Sequence, residues 1–202
     1  MKLHHSLSLA AVAAALALAS GAALAESQYG YASSGTGTVT ATARVNLSVT
    51  VPKLILLRVG SANTTLDTLS WTAALTIPAV PTTPANGNDQ FVNWDGAAPG
   101  AGSVPNPGAV SVWAWTNSSG GGSLNYAATA FAANGPVLGD IAVASGAGLA
   151  HPGTALAASG TAVTFARNAV QTGSWTYSLG GTPANWAAGA YTSTVTYTAT
   201  SI

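Results

Sequence analysis

Residues 36–51 read TGTVTATARVNLSVTV. Thr36, Thr38, Thr40, Thr42, Arg44, Asn46, Ser48 and Thr50 share one parity, and Gly37, Val39, Ala41, Ala43, Val45, Leu47, Val49 and Val51 share the other. Side chains alternate between the two faces of a strand, so this pattern predicts one long strand, or two joined by a bend, with a hydroxyl face and an apolar face. Helical spacing does not fit it. The apolar set Val39, Ala41, Ala43, Val45, Leu47 and Val49 is the first candidate interaction surface.

Downstream the β reading continues. Pro52 interrupts the ladder and marks a bend. Residues 54–59 (Leu-Ile-Leu-Leu-Arg-Val) form a short continuous apolar run, as expected of a strand covered on both faces. Residues 71–80 can make a strand. Residues 78–107 are rich in Pro, Gly and Asn, with Asn86-Gly87 and Asp95-Gly96 as turn signals. Residues 110–116 and 124–131 flank a Ser/Gly-rich connection, which predicts a hairpin with a flexible loop. Residues 146–160 are mostly small and read as loop. Residues 161–166 and 174–179 are two further short strands, with one helical turn allowed near residues 184–188. The last strand spans residues 191–202, with Thr192, Thr194, Thr196, Thr198 and Thr200 on one face and Tyr191, Val195, Tyr197 and Ala199 on the other. About seven to nine short strands separated by turns favour an all-β antiparallel sandwich.

Upstream, Met1-Lys2-Leu3-His4-His5 is a short basic head, followed by a Leu/Ala/Val run and by Ala23-Leu24-Ala25. That order is expected of a cleaved secretion signal over residues 1–25, with the apolar run too short to serve comfortably as an anchor. The remainder, residues 26–202, is long enough for one domain with a core. The expected location is the periplasm, the cell surface or the medium, without stable membrane insertion.

Only 5% of the chain is charged, where about a quarter is usual. Arg44, Lys53, Arg58 and Arg167 nearly balance Glu26, Asp67, Asp89, Asp95 and Asp140, so no electrostatic footprint for nucleic acid exists. Low charge also weakens the repulsion that keeps copies apart. Six Trp and six Tyr argue for a packed core rather than disorder. The absence of cysteine removes disulfides, thiol chemistry and Cys-based metal sites.

Candidate chemistry is sparse. His151, in a small-residue loop before Pro152-Gly153, is the one histidine after residue 25, and a solvated loop position is its expected role. Acid–base catalysis needs a base with an orienting partner and usually a nucleophile, and no such motif appears, so no enzyme, cofactor or metal is expected. Asn86, Asn88, Asp89, Asn93 and Asp95 supply oxygen groups that suit calcium, but turn chemistry explains the same residues. Trp113 and Trp115 share a parity and are the candidate surface aromatics, for glycans or another subunit, although aromatic residues in a charge-poor fold are more often core.

The ending Gly189-Ala190-Tyr191-Thr192-Ser193-Thr194-Val195-Thr196-Tyr197-Thr198-Ala199-Thr200 resembles the closing strand of pilin-like bacterial surface proteins, the spore-coat-U-type and other chaperone–usher fimbrial subunits. Residues 37–51 resemble the start of such subunits. The resemblance implies an immunoglobulin-like sandwich that polymerises by lending a strand to a neighbour, although the cysteine pair of many of these pilins is missing here. Residues 26–51 have the length and alternation for donation, and also those of an ordinary strand in their own sheet. The expected function is an exported structural or adhesive surface protein whose partners are copies of itself or other surface subunits. The alternative is a monomeric secreted module that binds glycans or another ligand.

Overall fold

The computed structural model describes residues 26–62, 64 and 66–202; the secretion signal expected over residues 1–25 lies outside the described residues. The chain divides into two units, Met1–Val51 and Pro52–Ile202.

In the first unit, residues 36–51 carry no ladder, although their alternation predicts a strand. A strand is defined by its partner, and the pattern alone does not supply one. Glu26 pairs with Arg44 across 3.0 Å, an exposed contact that holds Arg44's polar face and adds little stability. The opposite, apolar parity lies open: Leu47 is 87% exposed and Val49 85%.

The second unit is built from antiparallel strands, with only two short 3-10 turns and no α-helix among the described residues. Strands β1 (Ile55–Val59), β4 (Val110–Thr116), β8 (Gln171–Leu179) and β6 (Ile141–Ser145) pair in that order. Strands β7 (Val163–Phe165), β5 (Gly122–Ala128) and β9 (Val195–Ser201) form a second sheet. Strands β2 (Leu75–Thr76) and β3 (Gly100–Ala101) form a minor ribbon, so the region around residues 71–80 yields only two paired residues. Residues 183–185 make the expected turn.

Both larger sheets feed one core. Val112 and Ala114 of β4, Ile141 and Val143 of β6, and Trp175 and Tyr177 of β8 pack with Leu124 and Tyr126 of β5 and Phe165 of β7. Val112, Leu124 and Trp175 are fully buried. Alternation along β4 drives this, because every second residue from Val112 to Thr116 is buried.

Two expectations fail here. The segments at residues 110–116 and 124–131 do not pair as a hairpin, because β4 is already flanked by β1 and β8. The connection between them passes from one sheet to the other. Asn117 fixes this crossing by accepting from Leu54 N–H at 2.8 Å and donating to the Pro52 carbonyl at 2.7 Å, while Ser118 donates to the Ile202 carbonyl. Strand β1 is not covered on both faces, since Leu54 and Leu56 are exposed. Its outer face meets solvent.

Candidate functional site

Two lateral sides connect the four-stranded and three-stranded sheets, and they differ. On one, the 146–160 loop bonds to both sheets. Val143 N–H donates to Thr154 O at 2.8 Å and Leu156 N–H to Ile141 O at 2.9 Å, which extends the β6 edge. Ala128 N–H donates to Ala158 O and Gly160 N–H to Tyr126 O, each at 3.0 Å, which extends the β5 side. The loop predicted from its small residues is therefore a stitched cover rather than a peripheral excursion.

On the other side, β1 pairs only with β4 and β9 only with β5. These two strands approach each other, yet no ladder joins them among the described residues. Their inward residues, Ile55, Leu57 and Val59 on β1 and Val195, Tyr197 and Ala199 on β9, are only partly buried, unlike the inward residues of β4 and β5. An unpaired edge offers a row of free N–H and C=O groups, and a half-covered apolar row beside it offers sockets for side chains. Together these features make the β1–β9 side the candidate interaction site. Which edges are left open depends on long-range pairing, which the sequence pattern does not display.

Inside the same core lies a polar network that the sequence did not reveal. His151, expected in solvent, is 4% exposed. Its Nδ1 faces the Gly153 carbonyl at 2.7 Å and its Nε2 faces the Tyr197 hydroxyl at 2.7 Å. A carbonyl only accepts, so these partners assign the proton to Nδ1 and leave Nε2 to accept from Tyr197. Tyr197 in turn contacts the Tyr177 hydroxyl at 2.5 Å. The chain thus runs from the loop through β9 to β8 and joins the two sheets. Trp175 packs edge-on against the imidazole at 4.9 Å and donates its Nε1–H to Leu149 O at 2.9 Å. Burial lowers the His151 pKa below its ordinary value, with the Gly153 bond opposing. Burial raises those of Tyr177 and Tyr197, and the neighbouring tyrosines raise that of Tyr197 further. Both ring nitrogens of the buried imidazole are engaged, and their bonds tie the loop to β9. Its chemistry here is cohesion.

Of the other sequence candidates, Val39, Ala41, Ala43, Val45, Leu47 and Val49 lie exposed in the first unit. Trp113 and Trp115 share the outer face of β4, as their parity requires, and both are half-buried rather than core. Only Trp175 of the six Trp is fully buried. Asn86, Asn88, Asp89, Asn93 and Asp95 are all exposed, and Asp95 Oδ1 accepts from Ala97 N–H at 2.9 Å, which is turn chemistry. No cluster of three His, Cys, Asp or Glu suited to a metal occurs among the described residues, and no described helix is long and apolar enough to cross a membrane. Comparison of the chain with protein families, with curated proteins and with solved structures returns no match.

Proposed function

We propose that this chain is an exported structural surface subunit that assembles by strand pairing, the apolar parity of residues 39–51 in one copy entering the β1–β9 side of the next. In this reading the two sheets are the halves of an immunoglobulin-like sandwich that lacks one strand between β1 and β9. The observation that carries it is the pairing of two complementary deficits. A long alternating segment has an exposed apolar face, and a sheet pair has two unpaired edges flanking half-covered apolar residues. Main-chain hydrogen bonds would supply affinity, and alternate side chains such as Val45, Leu47 and Val49 would supply register.

The test compares the chain from residue 26 onward with one lacking residues 26–51. The longer chain is expected to elute as concentration-dependent oligomers in size exclusion, and the shorter as a monomer that recovers a partner when a peptide of residues 36–51 is added. Monomers in both cases, with no peptide binding, would sink the proposal.

A further inference from the structure

The outer face of the four-stranded sheet carries a second, separate feature. Arg58 on β1 stands directly opposite Trp113 on β4, and Leu56 stands opposite Trp115. The Arg58 guanidinium lies over the Trp113 ring, 3.4 Å from its centroid. On the far side of β4, Thr172 of β8 is the partner of Trp113 and is exposed, as is Ser111 further along β4. Two indoles two residues apart, a stacked cation and a margin of hydroxyls therefore share one solvent-facing surface.

Three properties of this cluster point to a ligand class. First, indole faces stack on the C–H faces of sugar rings, and the i, i+2 spacing on one strand sets the Trp115 platform about 7 Å from the Arg58–Trp113 stack. Second, Arg58 has no carboxylate partner: the one ion pair among the described residues is Arg44 with Glu26. Its Nε is buried without a hydrogen-bond partner. With Nε covered, the fork left for a carboxylate is the one made by the two terminal nitrogens, whose in-plane N–H donors a flat stack leaves free. Third, the surrounding surface is hydroxyl-rich and nearly uncharged, so an acidic group finds attraction at Arg58 and little repulsion nearby.

We propose that Arg58, Trp113 and Trp115 bind an acidic saccharide, with a sugar carboxylate on Arg58 and a pyranose ring stacked on Trp115. Trp113 holds the guanidinium flat and is the positioning residue. The site lies on the face opposite the core, so it remains available whatever pairs with the β1 edge.

The test uses the full chain from residue 26, titrated with oligosaccharides bearing galacturonate, glucuronate or sialic acid, with their methyl esters as neutral controls. Binding is read by calorimetry and by shifts of the Trp indole N–H resonances. At least one acid is expected to bind about tenfold or more tighter than its ester, a difference that Arg58→Gln abolishes and Trp115→Ala leaves in place while weakening both. Folding of each variant is checked by its urea midpoint. If a variant fails to fold, the indole shifts of the unmodified chain decide: shifts confined to Trp113 and Trp115 support the site. Equal binding of acid and ester, or no indole shift with any of the three acids, overturns it. Self-association lost in Trp115→Ala without any saccharide response would assign the face to a second copy and also overturn it.

Discussion

Burial disfavours the charged form of His151, and no carboxylate lies among its bonded partners, which are Ser145, Gly153 and Tyr197. Its folded pKa lies below the ordinary 6.5, so the unfolded chain binds the extra proton first. The stability that follows is complete above about pH 6.5 and declines as the pH falls below it. A urea midpoint measured from pH 8 down to pH 4.5 is expected to drop, and His151→Asn to flatten that part of the curve. At pH 7.5, His151→Ala is expected to cost about 2–4 kcal/mol, since it empties a buried site and removes one of the two partners of the Tyr197 hydroxyl. Gly148 offers a second test at this scale. Its φ is +96°, and a Cβ there would lie 1.9 Å from the Thr172 carbonyl, so Gly148→Ala is expected to lower the thermal midpoint by several degrees. Neither role was legible beforehand. A histidine among Ala, Gly and Pro carries no periodic signal, and only the stitching of its loop to both sheets buries it.

Strands were legible where alternation runs long; β6, a short run of Ile, Ala and Val with the same wet and dry faces, was not. β9 alternates along its whole length, with Thr196, Thr198 and Thr200 outward, as its sequence says. β4 and β8 likewise lie within or around the segments their patterns mark. Partner choice was not legible. The short Gly-rich connection after β4 reads as a hairpin, yet β1 and β8 occupy both edges of β4 and force the chain across to the other sheet. Residues 36–51 show the converse, a strong strand pattern with no strand to pair with among the described residues of its unit. At this scale the prediction is a charge test. Leu47→Glu with Val49→Glu is expected to abolish oligomers while changing the unfolding free energy from urea titration by no more than about 0.5 kcal/mol, because both residues are exposed. An unchanged elution profile would show that this face takes no part in association.

At the scale of the molecule, near-neutrality decides what kind of force can act between copies. With a formal net charge of +0, association through main-chain bonds and apolar contact is expected to vary little between roughly 20 and 500 mM salt, readable by sedimentation. A steep salt dependence would point to the few charges instead. Composition made this much clear in advance, along with the all-β class. The asymmetry between a stitched side and an open side was hidden, because it depends on pairings between distant segments. One such pairing carries a kinetic consequence. β5 lies between β7 and β9, with Gly122 opposite Ser201. The second sheet therefore cannot close until residues 195–201 are present, and folding that waits on such distant pairing is slow, on the order of milliseconds to seconds. In a chain that emerges start-first, β5 would wait without its β9 partner until residues 195–201 appear, whatever had already paired in the four-stranded sheet.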